Sequence, residues 1–153
     1  MLARIRKAMD ENESGFTLIE LLVVMIIIGI LAAIAIPVFL NQRKNAVDAS
    51  YKSDLRTVAN EMESYYTDNE IYPVTAPSNA SVGAAVTGVG GAGGVRVSKN
   101  TLITVGYKDA AHTAYCILAL NTSGKGSHNW AYISDAGGLQ ANTVTTCAGY
   151  VTP

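Results

Sequence analysis

Few side chains in this chain are of types that perform chemistry, and their spacing decides what each can do. There are two cysteines and two histidines, with His112 four residues before Cys116 and Cys147 far beyond it. His112 and Cys116 would share a metal only if a helix stacked them on one face. The segment Thr113–Leu120 is instead apolar and rich in β-formers, and residues four apart on a strand lie more than ~10 Å from each other. No close cysteine pair of the zinc type occurs, so no metal is expected. Gly88-Val89-Gly90-Gly91-Ala92-Gly93 matches the spacing of a dinucleotide-binding loop, and Asp109 comes about 20 residues later. That chemistry requires a helix whose N-terminus receives the pyrophosphate. The residues after the glycines, Val95-Arg96-Val97-Ser98 and Thr101-Leu102-Ile103-Thr104-Val105, alternate like a strand instead. The glycine segment therefore reads as a flexible surface loop, and no cofactor is expected. There is no His-Glu-x-x-His, no Gly-x-Ser-x-Gly and no carboxylate pair set in an apolar stretch. Nothing meets the demands of acid–base or nucleophilic catalysis, so the chain reads as a non-enzyme with no catalytic residues.

One carboxylate stands out by its surroundings. From Phe16 to Leu40 the only ionisable side chain is Glu20, and Leu21–Leu40 is a run without any charge. As a helix that run is ~30 Å long, the thickness of a bilayer's hydrocarbon core. An unpaired carboxylate at its edge costs about 2–3 kcal/mol or more. Glu20 must snorkel, take a proton or find a cation. Within the run, Pro37 removes a backbone hydrogen bond and Gly29 is a second weak point, so the helix is expected to kink or loosen there. Gly29 and Ala33 also form a small-xxx-small pair suited to close helix contact.

Gly15-Phe16-Thr17-Leu18-Ile19-Glu20-Leu21-Leu22-Val23-Val24 closely resembles the class III signal sequence of type IV pilins and type II secretion pseudopilins. The resemblance implies that a membrane peptidase cuts between Gly15 and Phe16 on the cytoplasmic side and methylates the new Phe16 terminus. It also implies a role for Glu20, which would pair with the Phe16 amine of a neighbouring subunit and set its axial register in a filament. A buried charge left without its partner costs about 3–5 kcal/mol. By the same resemblance, the stretch around Gly29 and Pro37 would bend or melt when a subunit leaves the bilayer.

The rest of the chain fits one small domain behind a membrane helix. It has 153 residues, a formal net charge of −1 and only 15% charged residues, against about 25% in ordinary soluble domains. No nucleic-acid partner is indicated by such a balance. Residues 1–15 are polar, with Arg4, Arg6 and Lys7 ahead of Asp10, Glu11 and Glu13. A secretory signal would be cut after its apolar stretch; here the implied cut precedes it, so the apolar helix stays in the mature protein. Arg43, Lys44, Lys52 and Arg56 come after the span, which leaves the positive-inside rule undecided. Orientation with residues 1–15 in the cytoplasm rests on the resemblance and on the cysteines, which suit a head outside the reducing cytoplasm.

Beyond the span, Val47, Tyr51, Leu55, Val58, Met62 and Tyr65 recur at three- and four-residue spacing, the stripe of an amphipathic helix. Arg43, Lys44, Asp48, Lys52, Asp54, Arg56, Glu61 and Glu63 between them read as a solvated face, with Asp48–Lys52 as an acid-before-base pair. One helix is therefore expected from about Thr17 to Thr67. Asn69 suits a left-handed cap, and Tyr72-Pro73 ends the turn. Strands are expected weakly over Val95–Ser98, and over Thr101–Tyr107, Thr113–Leu120 and Asn129–Ser134, with turns at Gly124–Gly126 and Gly137-Gly138. Sequential strands give an antiparallel meander whose apolar face covers the helix stripe, an α+β fold of the type IV pilin kind. The parts are then a cleaved leader, 1–15; a transmembrane and polymerisation helix, 16–40; its amphipathic half, 41–70; and a globular head, 71–153.

The cysteines allow buried thiols, a metal site or a bridge. A Cys116–Cys147 disulfide fits a secreted head best, and the family often has a bridge enclosing its C-terminal region. It would close a loop of about 30 residues, nominally worth 3–4 kcal/mol. Trp130-Ala131-Tyr132…Ser134-Asp135-Ala136-Gly137-Gly138-Leu139 also resembles a pattern of several pilins. The resulting reading is the major structural subunit of a type IV pilus. It would be held first in the cytoplasmic membrane and then in a surface filament, with its own copies, the prepilin peptidase and the assembly machinery as partners. A secretion pseudopilin is a second reading, weakened because only Asp109 and Asp135 are acidic after Lys99. A DNA-uptake pilin is a third, weakened because Arg96, Lys99, Lys108 and Lys125 are the only basic residues after Glu70.

Overall fold

The computed structural model describes residues 15–79, 81, 83–99, 101–122 and 124–151. Arg4, Arg6, Lys7 and the rest of the expected leader up to Ser14 lie outside the described residues. Two compact units divide at Leu40. A single helix, α1 (Leu18–Asn69), begins in the first unit and continues into the second.

The first unit is set by composition alone. Its leucines, isoleucines and valines are exposed along the whole run, and an 18-residue window reaches a mean hydropathy of 3.1 with none of it buried. By length and composition it is able to cross a membrane. Helix geometry runs through Gly29 and Pro37 without interruption.

The second unit contains the core. From α1 it takes Tyr51, Leu55, Val58, Ala59 and Met62, all buried, with Val47 and Tyr65 partly buried beside them. The helix stripe is as its spacing requires. The helix ends in a left-handed residue, but this is Glu70 (φ 59°), not Asn69. Asn69 instead turns its side-chain Nδ2 back onto the Tyr65 carbonyl at 2.9 Å, while the Glu70 N–H donates to the Tyr66 carbonyl at 2.7 Å.

Against the stripe packs a six-stranded antiparallel sheet of β1 (Ser78–Asn79), β2 (Val86–Thr87), β3 (Leu102–Tyr107), β4 (Tyr115–Leu120), β5 (Trp130–Ile133) and β6 (Gly138–Leu139), ordered β2-β1-β3-β4-β5-β6. This is the α+β arrangement of a pilin-like fold. Register is dictated by which side chains must face the helix. Ile103 pairs with Ala119, Val105 with Ile117 and Tyr107 with Tyr115, and all six are buried.

Three strand readings change. The glycine-rich segment is not only surface loop. Val86, Val89 and Val95 are buried, and Val86 bridges Val95 through reciprocal backbone bonds of 2.8 and 2.9 Å. The expected Val95–Ser98 strand reduces to that one bridge. Gly138, read as part of a turn, also opens β6, because a 3₁₀ turn over Ser134–Ala136 and left-handed Gly137 reverse the chain early.

Candidate functional site

At its N-terminus α1 is held by a reciprocal pair of side chains. The Thr17 N–H and the Thr17 hydroxyl both donate to Glu20 Oε2, at 2.8 and 2.6 Å, and the Glu20 N–H reaches back to Thr17 Oγ1 at 3.3 Å. This is a capping box: threonine as N-cap with glutamate three residues on satisfies amides that no helical carbonyl can reach. The motif was readable as Thr17-Leu18-Ile19-Glu20 ahead of an apolar run, and it adds a role for Glu20 that apolar surroundings alone do not reveal. Both Thr17 bonds fall on Oε2, and Oε1 has no partner among the described residues. Phe16, just before the cap, is 88% exposed. Gly15 has no atom near enough to crowd even an added Cβ. The peptide bond between Gly15 and Phe16 thus lies outside the helix, which begins at Leu18.

The second set of polar residues joins the amphipathic half of α1 to the head. Asp48 and Asp54, read as solvated, are in fact buried, at 6% and 7% exposure. At 100° per residue they fall on the two shoulders of the Val47–Tyr65 stripe, close enough for the head to cover both. Asp48 accepts from the Ser127 N–H at 2.9 Å and the Ser127 hydroxyl at 2.5 Å. Asp54 accepts from the Ser98 N–H at 3.0 Å, the Ser98 hydroxyl at 3.1 Å and the Thr101 hydroxyl at 2.6 Å. Each aspartate fastens one loop of the head to the helix. Burial pushes the Asp48 carboxyl up. The two bonds from Ser127, helped by Trp130 and by the nearby His128, outweigh that and hold it below the ordinary carboxylate range.

With its carboxylate taken by Ser127, Asp48 forms no ion pair with Lys52. The Lys52 ammonium sits 3.9 Å from the centre of the Trp130 ring instead, a cation–π contact. Glu63, at the other end of the helix, accepts from the Tyr72 hydroxyl at 3.1 Å and the Tyr115 hydroxyl at 2.7 Å. Burial first, then the Glu63 charge, pushes the Tyr72 hydroxyl up to about 12 and the Tyr115 hydroxyl higher still.

Asp48, Ser127 and His128 have the composition of a hydrolase triad but not its wiring. In such a triad the carboxylate holds the imidazole, which in turn holds the hydroxyl. Here the Ser127 hydroxyl contacts both the carboxylate and His128 Nδ1, the latter at 2.6 Å. The hydroxyl proton is committed to Asp48, so the group fastens a loop.

Cys116 and Cys147 are bonded, with Cα atoms 5.8 Å apart and a sequence separation of 31. Cys116 lies on β4 opposite Gly106. The chain beyond Cys147 returns over Gly106, where Tyr107 and Val151 exchange backbone hydrogen bonds of 2.9 and 2.8 Å. Asp135 reinforces this corner through Lys108 at 2.6 Å and the Tyr150 hydroxyl. His112, the other candidate ligand, stacks on Tyr107 at 3.9 Å. Among the described residues no three His, Cys, Asp or Glu side chains gather as a metal site would require. Gly91–Gly93 form a three-residue 3₁₀ turn rather than the start of an α-helix, so the glycine spacing has no phosphate site behind it. Asn79 is buried and bonds Ser81, Thr101 and Ile103, and the Asn121 amide bonds the Gly126 carbonyl.

A long helix opened by a Thr–Glu cap, apolar through its first half and packed on an antiparallel sheet through its second, defines a pilin-like subunit. The profile of the prokaryotic N-terminal methylation motif matches residues 11–36. The type IV wide pilus major component PilA4 of Thermus thermophilus is 33% identical over 135 residues, covering 88% of this chain and 92% of that protein. The type II secretion system core protein G of Pseudomonas aeruginosa is 41% identical over 64 residues, 42% of this chain and 45% of that protein. Its Escherichia coli counterpart is 35% identical over 65 residues, again 42% and 45%. The chain thus spans under half the length of these core G proteins but nearly the whole of the pilus component. It belongs to the family of type IV pilins and type II secretion pseudopilins.

Proposed function

We propose that this chain is the repeating subunit of a type IV pilus. It is inserted in the cytoplasmic membrane through the apolar half of α1, cut by a prepilin peptidase between Gly15 and Phe16 and methylated at Phe16. It then polymerises through α1 into a surface filament. The observation that carries this reading over the secretion pseudopilin is the reach of the similarity. Likeness to the wide pilus component extends through the head, whereas likeness to the core G proteins covers 42% of the chain.

Glu20 supplies the assembly contact. Its Oε2 is occupied by its own Thr17, which fixes the carboxylate at the helix start, and Oε1 is left for the Phe16 amine of a neighbouring subunit. An amine and a carboxylate brought together away from water are each costly alone and tolerable as a pair. Gly29 and Pro37 would let the helix loosen as it moves from lipid to filament. Mass spectrometry of sheared surface filaments tests the proposal. The expected subunit begins at Phe16, carries one methyl group on its amine and has Cys116 bonded to Cys147. An uncut subunit, or one cut beyond Leu40, would contradict it.

A further inference from the structure

Unfavourable features gather on one pair of rings where β3 turns into β4. His112 has a left-handed backbone, at φ 53°, where its own Cβ crowds the following carbonyl. Its ring lies flat on the Tyr107 ring, with centroids 3.9 Å and planes 7° apart. In this stacked position His112 Nδ1 and the Tyr107 hydroxyl are both sealed from solvent. Neither has a hydrogen-bond partner among the described residues. Folded proteins keep few such atoms, because a buried polar group without a partner has lost its water for nothing. Burial, then the nearby Tyr65, pushes the Tyr107 hydroxyl up, so it remains a neutral O–H that can both donate and accept.

The same two rings line a cavity of about 280 Å³ with Lys108, Asp109, Ala110 and Val151. A cavity of ~150 Å³ holds benzene, so this one admits one or two rings. Its charges are already spoken for. Lys108 is paired with Asp135, and the Asp109 carboxylate accepts from the Thr113 N–H and hydroxyl, so nothing here selects a charged ligand. Tyr107, Ala110 and Val151 supply an apolar wall, and Val151 stays 72% exposed although it bridges Tyr107. An apolar cavity with a few hydrogen-bonding groups is the general form of a small-molecule site, and backbone strain clusters at ligand clamps. We propose that this cavity binds a neutral aromatic molecule of one or two rings carrying a hydroxyl or N–H, with His112 as its gate. The imidazole turns off Tyr107 as the molecule enters, and the incoming ring takes its place in the stack. The molecule's polar group bonds the Tyr107 hydroxyl, and His112 Nδ1 reaches water.

Indole is the probe, added to the full chain in detergent micelles while NMR follows the labelled histidine and tyrosine rings. It should move the His112 and Tyr107 ring signals saturably and leave His128 in place as an internal control. N-methylindole, which lacks the N–H, should bind about tenfold more weakly; equal binding would overturn the bond to the Tyr107 hydroxyl. Ala110→Phe fills the cavity from an exposed position and should abolish the shifts, with Trp130 fluorescence in urea showing that the head is still folded. Shifts that survive this variant, or that move His128 equally, would mean only that indole dissolves in the micelle, and would overturn the site. His112→Gly keeps the left-handed backbone and removes the gate. It should bind indole about fivefold more tightly, read at Tyr107, because no closed state has to be opened first. Weaker binding by His112→Gly would overturn the gate.

Discussion

Asp54 offers the sharpest perturbation of the head. Its carboxylate is 7% exposed and receives three donors. Asp54→Ala removes the acceptor while leaving the donors in place. The Ser98 hydroxyl is half-buried and can turn to water. The Ser98 N–H is fixed by the backbone, and the Thr101 hydroxyl belongs to a residue with no exposed surface. A buried donor without a partner costs about 1–3 kcal/mol. Two of them give an expected loss of about 2–6 kcal/mol, a large part of the 5–15 kcal/mol typical of a domain. The chain's single tryptophan, Trp130, lies on β5 under Lys52, so its fluorescence reports the head alone. In urea, with a slope of about 1.5 kcal/mol per molar, the full chain in detergent should lose about 2 M of its midpoint. Asp54→Ala/Thr101→Val removes one donor together with the acceptor and should recover part of the loss. A shift in Asp54→Ala below about 0.5 kcal/mol, the size of an ordinary surface change, would refute the claim that this carboxylate anchors the Ser98 loop.

Three further outcomes rest on the head's contacts. Asp48 is held below its ordinary value of 3.8 in the folded head, so its contribution is fully present above that pH and is lost as pH falls below it; acid titration of Asp48→Asn should show a shallower loss of stability below about pH 4 than the native chain, and an identical profile would contradict the assignment. Gly126→Ala would place a Cβ 2.7 Å from Asp48 Oδ1 and 2.8 Å from Tyr51 Cε2, so the urea midpoint should fall by an amount equal to about 1–3 kcal/mol, and an unchanged midpoint would show that the loop yields freely. Cys116→Ala/Cys147→Ala should cost about 3–4 kcal/mol for a loop of this length, measured on the same fluorescence transition; no shift would mean that the backbone exchange of Tyr107 with Val151 holds the C-terminal segment by itself.

The elements that rest on periodicity were legible in the sequence, and those that rest on tertiary cover were not. Leu55, Val58 and Met62 announce the buried face of α1 by spacing alone, and Ile103, Val105 and Ile117 announce β3 and β4 by alternation. Asp48 and Asp54 carry no such signal. Charge argues for solvent, and only the arrival of Ser127 and of Ser98 with Thr101 makes burial tolerable. The two-residue strands β1 and β2 were hidden by glycine, whose presence marks a loop, while Val86, Val89 and Val95 supply the cover that closes the sheet edge. At the N-terminus the apolar surroundings of Glu20 pointed to a partner outside the chain. Its bonds to Thr17 add a partner inside it, which the Thr-x-x-Glu spacing could have revealed.

The central claim is that Glu20 joins subunits rather than merely lying at the headgroups, and Glu20→Val tests it most directly. If the carboxylate is needed only for capping, its loss costs about 1 kcal/mol at one helix end and assembly continues. If Oε1 receives a neighbour's Phe16 amine, each subunit in the filament would carry a buried amine without its partner, at about 3–5 kcal/mol. The measurement is processed subunit in the membrane against subunit in sheared filaments. The account predicts normal insertion and cutting after Gly15, no filaments for Glu20→Val and only partial assembly for Glu20→Asp, whose carboxylate is one methylene shorter. Native amounts of filament from Glu20→Val would contradict it.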